Sequence, residues 1–153
     1  MFKERSARNW IGWTITGLMA ALLLLSAVPD VLQIPGALMV FAHLGYPPYL
    51  LVFLGTAKLV GVLTILVPGV PRLKEWAFAG LTFDVTGALY SHLSVGDPPG
   101  AWAPALVALT LVASAYVAFR LRQRRDAILE SRHPALAHAT GDAPDHRFMI
   151  HES

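Results

Sequence analysis

Four long apolar segments, separated by proline and glycine, constrain this chain more than any other feature. Each is close to the roughly 20 apolar residues that an α-helix needs to cross a bilayer. The connections between them contain the residues that most often end helices. The pattern predicts an all-α fold, a four-helix transmembrane bundle within residues 10–121. The segments cover about residues 10–28, 49–67, 75–93 and 102–121.

The composition agrees with a membrane protein and argues against several other classes. Of the 153 residues, 55% are hydrophobic and 14% are charged, and the mean hydropathy is +0.52, whereas soluble domains are about 25% charged. Cysteine is absent, so the chain alone builds no disulfide or thiolate metal site. Metal-ligand spacing is absent from the C-terminal histidines, which are His133, His138, His146 and His151. We therefore expect no metal, no cofactor and no nucleic-acid partner.

The distribution of basic residues predicts the orientation of the bundle. Every lysine and arginine except Lys58 lies before the first segment, between the second and third, or at and after the end of the fourth. The other two connections, residues 30–48 and 94–101, contain none. By the positive-inside rule, both termini of this multi-pass protein are expected to be cytoplasmic. The arginines within residues 120–125 are expected to contact membrane lipids.

The stretches outside the four segments carry separate predictions. Residues 31–45 are apolar but short, which favours an outer-face interfacial or re-entrant helix. Residues 123–130 extend the fourth helix into water, and residues 131–153 have the composition of a disordered tail. A cleaved signal peptide is the alternative interpretation of the N-terminus, although no clean small-x-small site follows its long apolar run. The predicted parts are a basic N-terminus (1–9), the bundle (10–121), and a helix extension with a tail (122–153).

Two charged residues lie near the middle of neighbouring apolar segments. Lys58 interrupts the second segment and Asp84 the third, and a charge at that depth costs about 3 kcal/mol unless it is paired or faces a cavity. Each lies roughly ten residues from the outer end of its segment, which places both about 15 Å deep at about 1.5 Å per residue. We expect a Lys58–Asp84 pair, either at the inner end of a polar pocket or as an ion pair that only fixes helix register. Small residues that permit close helix approach flank both charges: Gly55, Gly61, Gly80, Gly87 and Ala88.

Further polar residues belong to the outer half of the same two segments or to the first outer connection. Ser91 lies two helical turns above Asp84, with His92 beside it. Asp84 is the expected general acid or base, held in place by Lys58, while a histidine near neutral pH supplies a second proton-transfer group. The expected pocket residues besides Lys58 and Asp84 are Asp30, His43, Tyr46, Ser91 and His92.

Short motifs in a fixed order occupy the middle of the chain. They are HLGYP (43–47), KLVG (58–61), LKEWAFAG (73–80), FDVTGA (83–88) and SH (91–92). Over about residues 15–120 the series resembles the DoxX-like family of small bacterial four-helix membrane proteins, with Phe78 where the family pattern has tyrosine. The resemblance implies the four-helix fold and a plasma-membrane location. It also implies roles for Glu75 and Trp76, although position alone favours Glu75 as a charge at a helix start.

Three functions remain open at this point. The first is an enzyme, an isomerase, cyclase or hydrolase, that acts on a lipophilic small molecule by acid–base chemistry without a redox cofactor: isomerisation, cyclisation or epoxide opening. The second is a quinone-linked redox subunit, because the family takes its name from a subunit associated with thiosulfate:quinone oxidoreduction. The third is a non-catalytic membrane subunit or assembly factor. A homo-oligomer or a partner membrane protein is compatible with each of the three.

Overall fold

The computed structural model describes the backbone of residues 2–139 and the side chains of residues 10–128. Within that part of the chain all regular structure is α-helical, which confirms the predicted all-α class. The short helix expected within residues 31–45 is present as a separate element, and with it the described residues form five helices. They are α1 (Phe2–Val31), α2 (Pro35–His43), α3 (Pro48–Leu66), α4 (Pro71–Ser94) and α5 (Pro99–Ala139).

Proline determines where four of the five helices begin. Each of α2 to α5 starts at a proline, a position where the missing N–H is not needed and the fixed φ already suits a helix. Pro29 is different because it lies inside α1. The helix continues past it to Val31 and therefore includes Asp30, which the sequence assigned to the following connection.

Three helices end in the same type of turn. In each, a residue with positive φ lets the next N–H return to a carbonyl of the last helical turn, which is the Schellman arrangement. The residues with positive φ are Gln33 (52°), Gly45 (78°) and Gly96 (77°). The returning bonds are Ile34 N to Pro29 O (3.1 Å), Tyr46 N to Phe41 O (2.8 Å) and Asp97 N to His92 O (3.0 Å). These turns and the start of α3 form what we call the α2 end of the bundle.

Helix α3 lies against α1 on one side and against α4 on the other. A Cβ atom at Gly55 would lie 2.7 Å from the Cβ of Asp30 on α1, and one at Gly61 would lie 3.1 Å from the Cγ of Leu81 on α4. These two glycines therefore permit close helix approach, as predicted. At Gly80 and Gly87 a Cβ would meet nothing within 4 Å, so neither glycine is required by helix packing.

The chain divides into two units, Met1–Ala118 and Phe119–Ser153. Helix α5 begins in the first unit and ends in the second. In the first unit, Phe78 of α4 packs edge to face against Tyr116 of α5, with ring centroids 5.5 Å apart and an angle of 63° between the rings. In the second unit the helix includes residues 123–130, the predicted extension, and continues through Ser131–Ala139, which the sequence predicts to be disordered. Residues 140–153 lie outside the described part.

Three of the described helices are long and apolar enough to cross a membrane. These spans are Trp10–Val31, Pro48–Leu66 and Pro99–Ile128. Helix α4 contains the third predicted segment and has the required length, with 24 residues, but it is not apolar enough to count as a fourth span. The reason is physical: α4 contributes Asp84, Ser91 and His92 to the polar part of the interior, and these residues lower its hydropathy.

Candidate functional site

A cavity of about 1070 Å³ lies between the first four helices, bounded mainly by α3 and α4. Most of its wall is formed by aliphatic and aromatic side chains, and the absence of side chains at Gly80 and Gly87 widens it. A large apolar space with a few polar groups is the usual form of a small-molecule site. Of the candidate site residues predicted from the sequence, seven line the cavity: Asp30, Tyr46, Lys58, Trp76, Asp84, Ser91 and His92.

Lys58 is the centre of a largely buried charged cluster at this cavity. Its ammonium donates hydrogen bonds to Asp30 Oδ2 at 2.7 Å and to Ser26 Oγ at 3.1 Å. Asp84 Oδ2 lies further away, at 3.9 Å. The side chains of Lys58, Asp30 and Asp84 are only 11–14% exposed. The predicted Lys58–Asp84 pair is therefore present only as the longer of two contacts, and Asp30 is the nearer partner.

Asp84 differs from Asp30 in the use of its oxygens. The carboxylate of Asp30 accepts a direct hydrogen bond from Lys58, whereas the carboxylate of Asp84 makes no hydrogen bond to any side chain within residues 10–128. Two carboxylates beside one ammonium carry a net charge of −1 when all are ionised. We call Ser26, Asp30, Lys58 and Asp84 the Lys58 cluster. Asp30 uses one acceptor site on Lys58, whereas Asp84 is the carboxylate of this cluster that uses none of its acceptor sites in a side-chain hydrogen bond and keeps all of them for a ligand.

A second set of polar groups lines the cavity nearer the α2 end. The hydroxyls of Tyr46 and Ser91 are 2.7 Å apart, and Ser91 also donates to the carbonyl of Gly87 at 2.7 Å. Because Ser91 uses its proton on this carbonyl, the Tyr46 hydroxyl is the donor between the two. Ser91 lies seven residues after Asp84 on α4, or about 10 Å along the helix. The cavity therefore presents polar groups at two levels.

Two histidines share one aspartate at the α2 end. Asp97 Oδ1 lies 2.7 Å from His43 Nε2, and Asp97 Oδ2 lies 2.6 Å from His92 Nδ1. Hydrogen bonds from both imidazoles, that of His92 first, hold the pKa of the Asp97 carboxyl below its usual value. We call these three residues the Asp97 cluster. His92 lines the cavity, whereas His43 and Asp97 do not.

The Asp97 cluster follows from the turn that ends α4. The turn returns the N–H of Asp97 to the carbonyl of His92, which brings the two side chains within reach of each other. The corresponding turn after α2 places Tyr46 directly after Gly45, and Tyr46 then reaches Ser91. Local turn chemistry therefore positions both groups at this end of the cavity.

One side of the cavity is bordered by large exposed aromatic side chains. Phe53 of α3 is 66% exposed, and Trp76 and Phe83 of α4 are 81% and 80% exposed, yet all three line the cavity. The space between α3 and α4 is thus accessible from the surface of the bundle that carries apolar side chains. A ligand of low polarity could enter from that side.

Two residues named from the sequence lie outside the cavity. Glu75 is near the start of α4 and His43 faces largely outwards, with 57% of its side chain exposed. Glu75 lies nine residues from Asp84, which places it on the opposite face of the helix. The neighbouring Trp76 does line the cavity.

Two polar residues of the site were missed by the sequence reasoning. Ser26 lies one helical turn before Asp30 on the same face of α1, a spacing that could have identified it. Asp97 follows Gly96 in a turn signal, His-Leu-Ser-Val-Gly-Asp, which is comparable to the His-Leu-Gly-Tyr turn that contains Tyr46. Among the described residues, no three His, Asp or Glu side chains are arranged to hold a metal ion.

Comparison with known proteins identifies a family. A model of the DoxX-like family matches residues 14–115, which is more than half of the 153 residues. Neither the curated proteins nor the solved structures include a match to the chain. The matched range contains the cavity and both polar clusters. With its three apolar helices, the chain is therefore a multi-pass membrane protein that belongs to the DoxX-like family.

Proposed function

We propose that this protein binds a lipophilic small molecule in the cavity and acts on it by acid–base chemistry. The observation that carries the proposal is a large apolar cavity whose wall includes Asp84, a buried carboxylate with free acceptor capacity beside Lys58. An apolar wall favours a ligand of low polarity. A buried carboxylate next to a cation is a recurring arrangement for proton transfer.

In the proposed mechanism, Asp84 exchanges a proton with the ligand. Asp30 and Ser26 hold the Lys58 ammonium within 4 Å of Asp84, which keeps the carboxylate oriented and stabilises its negative charge. The same ammonium would stabilise an oxygen atom that becomes negative when the ligand reacts. Isomerisation and cyclisation need only such proton movements and the ligand's own atoms. Epoxide opening also needs a nucleophile, water or another atom of the ligand, which bonds to the ring carbon as the C–O bond breaks. Tyr46 and Ser91 would bind a second polar group of the ligand.

The proposed membrane arrangement has four spans, with α4 as the fourth. Helix α4 is long enough, and its central charge lies beside Lys58 of α3 rather than alone. The basic residues favour cytoplasmic termini, so the α2 end would lie outside, and membership of the family supports the plasma membrane as the location. The opening bordered by Phe53, Trp76 and Phe83 would then face lipid, from which a lipophilic ligand is supplied.

The proposal is tested first by identifying what the protein carries. Full-length protein is extracted directly from membranes into lipid nanodiscs, and its bound small molecules are identified by native mass spectrometry and extraction. Gly87→Phe should fill the cavity and remove the ligand, because a side chain there meets no neighbouring atom at its Cβ. Gly17→Phe is the matched control: Gly17 is equally open but does not line the cavity. A ligand profile that is the same in both variants would contradict the binding proposal.

The catalytic part is tested with the identified ligand. Asp84→Asn should retain the ligand and lose turnover by at least about 100-fold, the lower range for removal of a general acid or base. Asp126→Asn, a change of the same kind on α5 and outside the cavity, should leave turnover unchanged. Full turnover in Asp84→Asn would refute the assignment. A bound quinone with a redox partner would favour the quinone-linked subunit, and co-purification of one protein with tolerance of Asp84→Asn would favour the non-catalytic subunit.

A further inference from the structure

The Asp97 cluster lies beside the cavity, but the proposed acid–base step at Asp84 does not use it. Asp97 belongs to the connection between α4 and α5 and joins His92, on the cavity wall, to the exposed His43. Its side chain is 11% exposed and that of His92 is 15% exposed. An anionic group held between two imidazoles at the edge of a binding cavity is a specific arrangement, and its chemistry can be read from the atoms involved.

The atoms in contact determine where the imidazole protons lie. An ionised carboxylate only accepts hydrogen bonds, so each nitrogen that faces Asp97 must carry a proton. His43 therefore donates through Nε2 and His92 through Nδ1. When His92 is neutral, its other nitrogen, Nε2, has no proton and can accept one. This nitrogen makes no hydrogen bond to any residue within the described side chains.

We propose that Asp97 is a positioning residue that fixes His92 with its proton on Nδ1 and so makes Nε2 a proton acceptor for the cavity. Use of this acceptor in turnover rests on the proposed function, but the position of the proton does not. In the transfer step, a bond between hydrogen and the ligand breaks and an N–H bond forms at Nε2. The resulting imidazolium is stabilised by Asp97 and later returns the proton to another atom of the ligand or to water.

The remaining contacts support this role for Asp97. His43 binds the second carboxylate oxygen and prevents the carboxylate from turning away from His92. The pKa of Asp97 is held below its usual value, so the group is an anion at neutral pH. The backbone bond from Asp97 N to His92 O fixes the separation of the two residues independently of their side chains. The same arrangement of carboxylate and imidazole orients the histidine base in serine hydrolases.

The proton position is measured by NMR on the full-length protein in nanodiscs with ¹⁵N-labelled histidine. Long-range proton–nitrogen correlations distinguish the two neutral tautomers, and His43→Gln and His92→Gln assign the signals. At a pH where the imidazoles are neutral, His92 should carry its proton on Nδ1 and His43 on Nε2. His92 protonated on Nε2 in the unaltered protein would overturn the inference, and this measurement requires no variant at Asp97.

Substitution of Asp97 provides the second part of the test. An amide has one accepting oxygen and one donating nitrogen, so Asp97→Asn should force one of the two histidines into its other tautomer. Asp97→Ala should release both histidines to a mixture, whereas Asp126→Asn should change neither. Unchanged tautomers in both Asp97 variants would overturn the positioning role. The expected tautomers with no cavity ligand would contradict only the proposed function, and a cavity ligand with the opposite tautomer would contradict only this inference.

Discussion

The two partners of Lys58 should differ measurably in how strongly they stabilise the fold. Asp30 lies 2.7 Å and Asp84 3.9 Å from the ammonium. At an effective dielectric constant of about 20, these separations correspond to about 6 and about 4 kcal/mol of attraction. The cost of burying Lys58 is common to both pairs and cancels in the comparison. We therefore expect Lys58 to couple to Asp30 more strongly than to Asp84, by about 2 kcal/mol.

Double-mutant cycles measure these couplings. Lys58→Met is combined with Asp30→Asn in one cycle and with Asp84→Asn in another, and the free energy of unfolding is measured by SDS titration in mixed micelles with circular dichroism. Lys58→Met alone should cost about 3–5 kcal/mol, because it leaves two carboxylates without a cation. A control cycle with Ser114→Ala, whose hydroxyl binds only the carbonyl of Thr110, should give a coupling near zero. A coupling to Asp84 as large as that to Asp30 would refute the reasoning.

Three further predictions use the same unfolding assay. Gly55→Ala should destabilise the fold by about 1–3 kcal/mol because its Cβ would overlap Asp30, while Gly87→Ala, with open space at its Cβ, should stabilise it by up to about 1 kcal/mol. Gln33→Gly should stabilise by about 1 kcal/mol because it removes a side chain from a residue with φ of 52°, and Gln33→Ala should not. Because the folded-state pKa of Asp97 is lowered, its charge stabilises the fold above the usual value of 3.8, and this contribution is lost as the pH falls through the lowered pKa. The stability difference between the unaltered protein and Asp97→Asn should therefore shrink between neutral pH and a pH below 3.8, and a constant difference would contradict it.

The sequence predicted the helical class and most of the polar residues on the cavity wall, because both depend largely on periodicity along single helices. Lys58 and Asp84 lie at similar distances from the ends of their apolar segments. Ser91 follows Asp84 by about two turns and His92 by one residue more, so their common side could be expected from helix geometry. Glu75 lies on the other face of α4, as its separation from Asp84 indicated.

The nearest partner of Lys58 could not be predicted from helix periodicity. It depends on α1 continuing past Pro29, and on the close approach of α1 and α3 at Gly55, which brings Asp30 to Lys58. Proline is read in a sequence as the end of a helix, although α1 continues for two further residues here, to Val31.

Asp97 was missed for a different reason. It lies in a connection without regular periodicity, and only the three-dimensional course of the turn returns it to His92. The polar character of α4 also limits what the sequence can predict. The residues that form the site lower the mean hydropathy by which a membrane-spanning helix is identified.

The position of Trp76 gives the protein an internal optical probe. The chain has four tryptophans, and among those with described side chains Trp76 alone borders the cavity while remaining largely exposed. A molecule that enters between α3 and α4 would change the polarity around its indole and shift its fluorescence emission. Trp76→Phe keeps an aromatic ring at the opening and removes that signal. Candidate ligands can thus be compared by titration, without a label and before any reaction product is known.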